Sequence, residues 1–342
     1  MNMFSPDPWR LRSAHAAIHL LPGLTLVATV AMASQFLSDH YGAPAMLMGL
    51  LLGIAFNFLS EEGSCVPGIG FAAKQILRIG VALLGLRISV SLFVSLGGGT
   101  IILLAFAIAA TLLFGVTLAK LLGKNWQIGV LTGAAVGICG ASAAMAISAV
   151  LPKNEDSERD LLFTVLIVTL LSTLAMIFYP IFAQWLGLDA SATSVFLGGT
   201  IHDVAQVVGA GFSVSDDVGE AATLVKLIRV TLLAPVVLVI SFTSNTFSRH
   251  AGENPARQGT IPGFLLAFLI LAGANSAGIV PESLSTFGAE LSRWALLVGM
   301  AAVGMKTSFS QVRDVGGYAI TLVAAETVFV AMFILTGMHY SR

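Results

Sequence analysis

The 342-residue sequence predicts an all-α integral membrane protein of about eleven transmembrane helices, and three observations carry that prediction. Hydrophobic residues make up 56% of the chain and charged residues 10%, against about 25% charge in an ordinary soluble domain. Mean hydropathy is +0.91. The apolar residues fall into runs of roughly twenty, enough to cross the hydrocarbon core at about 1.5 Å per residue, with polar or Gly/Pro breaks between them. The 35 glycines suit close helix packing in lipid. A net charge of −1 points to no nucleic-acid partner.

The first run, 18–37, follows Arg10 and Arg12 and contains Ala31-Met32-Ala33, a pattern that a signal peptide shares. Its length and the many runs after it favour a retained helix. Further helices are expected over 43–60, 74–95, 100–122, 127–151, 160–186, 192–212, 220–244, 262–280, 288–308 and 316–338. The longest connection is the polar segment Asn245 to Thr260, and no stretch reads as a soluble domain, so 1–342 is one membrane domain. Arg10, Arg12, Lys120, Lys124, Arg249, Arg257 and Arg313 fall on one side of such a topology. The acidic loops Glu155-Asp156-Ser157-Glu158 and Asp216-Asp217 fall on the other, with Lys153, Arg159 and Arg342 as exceptions. The positive-inside bias then places the amino terminus in the cytoplasm and the carboxyl terminus across the membrane.

An internal repeat is visible. Leu84-Gly85-Leu86-Arg87-Ile88-Ser89 resembles Val303-Gly304-Met305-Lys306-Thr307-Ser308, and Gly97-Gly98 matches Gly316-Gly317; both pairs lie 219 residues apart. A second similarity, Gln75-Ile76-Leu77-Arg78-Ile79 to Lys226-Leu227-Ile228-Arg229-Val230, implies a different register. With 18–37 set aside as an extra helix, the rest divides into five-helix repeats, 43–186 and 192–338. An odd repeat length inverts the second copy, and transporters of that design bind substrate near the midplane between interrupted helices. Two stretches offer such interruptions: Gly133 to Ser142, and Gly198-Gly199-Thr200-Ile201-His202-Asp203-Val204-Ala205-Gln206.

Those stretches also hold the chemistry. Charged groups at the bilayer centre cost about 2.5–3.5 kcal/mol each on insertion scales, so they imply a partner or a task. His202 and Gln206, four apart, would share a helix face, with Asp203 also reaching Gln206. His202 or Asp203 is the expected proton-coupling group, the alternative being a satisfied polar network between broken helix ends. Around Cys139, Gly140 and Ser142, and near Thr200, free N–H groups at a half-helix start would bind an anion, or the small residues would simply pack closely. Lys226 and Arg229, i and i+3 in an apolar run, suit an oxyanion, the neutralisation of Asp203, or snorkelling to an interface. Arg87 and Lys306 read as end-of-helix anchors, Asn57 as a cap, and Glu326 as a mid-span acid without an evident partner. Cys65 and Cys139 match no disulfide or metal spacing, and neither cofactor nor metal is expected.

Taken together, Lys74-Gln75-Ile76-Leu77-Arg78-Ile79-Gly80, Gly85-Leu86-Arg87, Ile138-Cys139-Gly140-Ala141-Ser142-Ala143, Ile201 to Val208, Lys226 to Val230 and Ala234-Pro235 resemble the YeiH-type family of bacterial membrane proteins, described as sulfate exporters. Ala302-Val303-Gly304-Met305 extends the resemblance to most of the chain. The family is grouped with the cation:proton antiporters and anion transporters. That grouping implies inverted five-helix repeats, two interrupted helices that cross, an inner-membrane location with a periplasmic carboxyl terminus, and a homodimer. At position 203 glutamate is as much expected as the aspartate found here. The expectation is a non-enzymatic secondary transporter moving a small inorganic or organic anion (sulfate, sulfite or an organosulfonate) with protons or another coupling cation. The substrate-binding set is Cys139, Gly140, Ser142, Thr200, His202, Gln206, Lys226 and Arg229, and His202 and Asp203 couple protons. The rival expectation is a Na⁺/H⁺-type antiporter with Asp203 as the ion site.

Overall fold

In a computed structural model of the chain, residues 8–87, 90–243, 263–307 and 317–340 are described. The helices in chain order are α1 (Pro8–Tyr41), α2 (Ala45–Ala55), α3 (Val66–Phe71), α4 (Leu77–Leu84), α5 (Val90–Leu121), α6 (Trp126–Ala134), α7 (Ala141–Val150), α8 (Ser157–Trp185), α9 (Ala190–Thr200) and α10 (Val204–Val214). They continue with α11 (Asp216–Thr231), α12 (Leu233–Thr243), α13 (Gly263–Ser276), α14 (Glu282–Lys306) and α15 (Gly317–Tyr340). A π-helical turn, Ala72–Ile76, joins α3 to α4, and a second, Ala135–Cys139, prolongs α6. The protein is an all-α membrane protein: no strand occurs among the described residues, and six of their helical stretches are long and apolar enough to cross a bilayer.

Each expected helix has a helical counterpart, with three departures. The run expected over 74–95 ends at Leu84, and residues from Val90 belong to α5, which bends at Gly97 (φ 71°). The runs expected over 127–151 and 192–212 are both split. The first breaks at Gly140 and the second over 201–203, leaving half-helices well short of a full span. The loop Asn245–Thr260 and Arg249, Arg257, Arg313 and Arg342 lie outside the described residues, as do Ile88, Ser89, Ser308 and Gly316 of the repeat.

Local chemistry explains several boundaries. Asp189 caps α9 by accepting the Ala192 N–H (2.8 Å), and Ser215 caps α11 by accepting from Val218 (3.2 Å). Glu158 and Asp160 open α8, and Asp216 and Asp217 open α11, where negative charge complements the helix dipole.

The chain forms two units, each built from two separate stretches of the sequence. The first, Met1–Leu84 with Pro281–Ser308, packs α1 to α4 against α14. Its helices approach through glycine: a Cβ at Gly53 would lie 2.9 Å from the Gly304 Cα, and one at Gly23 would lie 2.7 Å from the Gly68 Cα. Val27, Val30, Ile69, Ala72, Ala301, Ala302 and Met305 fill the core. Asn57 Nδ2 (2.7 Å) and Ser60 Oγ (2.8 Å) donate to the Met305 carbonyl and satisfy the end of α14. The second unit, Gly85–Val280 with Phe309–Arg342, contains both interrupted helices and every candidate site residue. There Arg87 is an anchor with named partners, Glu220 (2.6 Å) and Asp216 (3.1 Å) at the start of α11.

Candidate functional site

Two breaks meet at one helix. At Gly140 the backbone takes φ 64°, ψ −131°, open to glycine and strained for other residues. The π turn closes on Gly140 N–H to Ala135 O (2.8 Å), and α7 restarts at once. Such π turns often sit at functional positions. In the second interruption α9 ends at Thr200, Ile201 is extended (ψ 137°), and α10 begins after Asp203. Each break exposes carbonyls at the end of one half-helix and N–H groups at the start of the next, a liability in a medium without water.

The carbonyl ends are satisfied by α11. Lys226 Nζ donates to Ile138 O (2.6 Å) and Ile201 O (2.8 Å), so one ammonium joins both breaks. The Arg229 guanidinium donates to Val136 O (2.9 Å) and Gly137 O (Nε, 3.0 Å) on one side, with a second, short bond from Nη2 to Gly137 O. On the other side it reaches Gly198 O (3.3 Å) and Ile201 O (3.5 Å). Both side chains are fully buried (0% and 1% exposed). The apolar run around them follows from this geometry: the charges face carbonyl dipoles rather than lipid. Of the sequence alternatives for these two residues, direct anion contact is therefore displaced for Arg229, whose donors are all committed to backbone.

The half-helix starts differ from each other. Asp203 caps α10 with its own carboxylate, Oδ1 accepting the Ala205 N–H at 2.9 Å, while Ser172 Oγ accepts the Asp203 N–H at 3.1 Å. The start of α7 has no side-chain cap. Ser142, one residue into α7, is exposed, and its Oγ contacts Cys139 O (3.0 Å) and Sγ (2.9 Å). Cys139, Gly140, Thr200, His202 and Gln206 are buried. The Thr200 hydroxyl donates back to Phe196 O (2.6 Å). Among the described residues Gln206 Oε1 and His202 Nδ1 find no hydrogen-bond partner.

The expectation that His202 and Gln206 share a helical face, with Asp203 also reaching Gln206, is corrected, because the helix starts only at Val204 and residues 201–203 form the break. His202 turns instead to α15, where Nε2 lies 2.9 Å from Thr327 Oγ1. That hydroxyl donates to Val323 O at 2.6 Å, so it accepts from His202 Nε2–H, which fixes the tautomer. Thr327 and Ser172 were missed from sequence. A polar residue beside the mid-span Glu326 was the available signal for the first, and nothing flagged the second.

These features define an all-α, multi-span membrane protein built on two interrupted helices. The chain belongs to the family described as Conserved hypothetical protein 698, which it matches over residues 22–323, and this bears out the family resemblance drawn from its motifs. A UPF0324 membrane protein of Rhizobium meliloti (strain 1021) is 66% identical over 319 residues, covering 93% of this chain and 92% of the relative. The UPF0324 membrane protein TauZ of Paracoccus pantotrophus is 54% identical over 319 residues, covering 93% and 94%. A UPF0324 membrane protein of Chlorobaculum tepidum is 51% identical over 315 residues, covering 92% and 88%.

Proposed function

We propose that the protein is a secondary transporter, not an enzyme, that carries a small anion of the sulfate, sulfite or organosulfonate class across the bacterial inner membrane by alternating access. In this reading the chain is a pair of inverted five-helix repeats with a cytoplasmic amino terminus. The observation that carries it is the distribution of charge at the breaks. Where unwound carbonyls and half-helix C-terminal ends are free, transporters use them to coordinate Na⁺; here Lys226 and Arg229 occupy those carbonyls. That supports an anion over the Na⁺/H⁺-type alternative, since what remains are N–H ends, which favour anions. Cys139, Gly140 and Ser142 line the uncapped start of α7, with Thr200, His202 and Gln206 across from it in this assignment, and Lys226 and Arg229 act mainly through the backbone they hold.

Asp203 supplies the coupling logic. Its carboxylate sits on the N-terminus of α10 and competes with an incoming anion, so protonation there and anion binding favour one another, with His202 alongside. The test is uptake of radiolabelled sulfate, sulfite and small organic anions by proteoliposomes, with and without a pH gradient. Anion flux that responds to the gradient is expected, and Na⁺-dependent proton movement without anion flux overturns the reading.

Capping and coupling separate by substitution at this position. Asparagine caps helices as well as aspartate does, so Asp203→Asn is expected to melt within a few tenths of a kcal/mol of wild type yet lose the pH response. Asp203→Ala is expected to lose about 1 kcal/mol of stability with the cap. Thermal melts in detergent beside the uptake assay decide both, and a pH response that survives in Asp203→Asn removes the residue from coupling.

A further inference from the structure

Beyond the half-buried Asp203, the second unit contains a fully buried acid, and we propose that Glu326 is a proton-binding site, occupied in the conformation seen here, that loads and releases a proton during transport. The proposal deepens the transporter reading and, for the transport step, rests on it.

The geometry is specific. Glu326 is fully buried in the middle of α15 (0% exposed). Its carboxyl is pressed against α5 and α6 where these touch through Gly115 and Gly129, and a Cβ at Gly115 would collide with Glu326. Oε1 lies 2.7 Å from Thr132 Oγ1 on α6, and Oε2 has no hydrogen-bond partner among the described residues. The Thr132 hydroxyl also lies 2.9 Å from Ile128 O. A hydroxyl has one proton, and the carbonyl can only accept. Both contacts are satisfied together only when Thr132 donates to Ile128 O and a protonated Glu326 donates to Thr132. A carboxylate would leave one of these close oxygen pairs without a proton.

Among the described residues Glu326 forms no ion pair. The elements packed on α15 are α5, α6, α8, α9 and the π turn. Their titratable groups are Lys120 in the last turn of α5, Glu158, Arg159, Asp160 and Tyr179 on α8, and Cys139. The ends of α15 add Tyr318, bonded to Asp160 (2.7 Å), and His339. None of these is bonded to Glu326. An unpaired ionised group in hydrocarbon is expensive, and intramembrane acids of this kind mark proton relays.

The position also reaches the breaks. Thr327, the next residue, holds His202, so one turn of α15 binds the acid to α6 and the break to α15. Farther along α6, Gln127, Ile128 and Leu131 line a small cavity shared with Ser148, Ser157 and Asp160, where the Gln127 Oε1 has no hydrogen-bond partner among the described residues. It has the room and polarity for a water on the acidic-loop side.

Two measurements test the site. Infrared spectra of the purified wild-type protein near neutral pH are expected to show the carbonyl stretch of a protonated carboxylic acid. The band disappears in Glu326→Gln and shifts in Thr132→Val, which removes its hydrogen bond; the second variant assigns the band even if the first folds poorly. A wild-type spectrum without the band, or a band unchanged in both variants, overturns occupancy by a proton. In proteoliposomes with an internal pH dye and external sulfate or sulfite, Glu326→Gln is expected to lose the gradient-driven increment of uptake and its accompanying proton entry. A Glu326→Gln response equal to wild type overturns the transport role. If wild type moves neither ion, the transporter reading for those ions fails instead, and the infrared result still decides the proton site.

Discussion

Replacing Arg229 by leucine is expected to be the most damaging single change in the protein. Leucine keeps part of the apolar volume but leaves Val136, Gly137 and Gly198 carbonyls without the guanidinium, while Ile201 keeps Lys226. An unsatisfied buried polar group costs about 1–3 kcal/mol. Three of them approach the roughly 5–15 kcal/mol that holds a folded domain together. Arg229→Leu should therefore yield little monodisperse protein after extraction. Arg229→Lys, which reaches fewer carbonyls from a single point, should fall between it and wild type. Fluorescence-detected size exclusion with a temperature ramp measures both, and an Arg229→Leu melt matching wild type would sink the carbonyl-clamp account.

Gly140→Ala is the second large effect, and it separates conformation from space. A Cβ there would meet His202 atoms at 3.6 Å or beyond, an ordinary contact, so crowding is not the obstacle. The obstacle is φ 64° with ψ −131°, which costs a non-glycine residue on the order of 1–3 kcal/mol. Such a strain shifts the population of the broken conformation by roughly five- to 150-fold. Uptake should fall by about that factor, while the fold, held by Lys226 and Arg229, persists. A variant with wild-type uptake would show that the break is not required for transport.

The sequence made the apolar runs legible because a bilayer demands length and composition, and both are countable. It also marked both breaks, since Gly133, Gly137 and Gly140, and Gly198 and Gly199, cluster where helical hydrogen bonding is interrupted. What it concealed were partners. Lys226 and Arg229 advertise charge, but their acceptors are backbone carbonyls, which every residue has and no side chain announces. The pairing of Glu326 with Thr132 spans 194 residues, and nothing local to either predicts it. The shared helical face of His202 and Gln206 failed for a related reason: spacing arguments assume an unbroken helix, and the break falls between Thr200 and Val204.

The carbonyl clamp has a consequence for how the chain is made. Every acceptor of Lys226 and Arg229 lies upstream of them, at residues 136–138 and 198–201. During synthesis both interrupted helices thus leave the ribosome before the cations that complete them, and α11 enters a bilayer where its counter-dipoles already exist. A nascent chain stalled short of Lys226 carries two open breaks and no means of closing them. The insertion of α11 thus supplies the donors that both breaks lack, and stalled chains that end on either side of that helix should differ sharply in protease sensitivity.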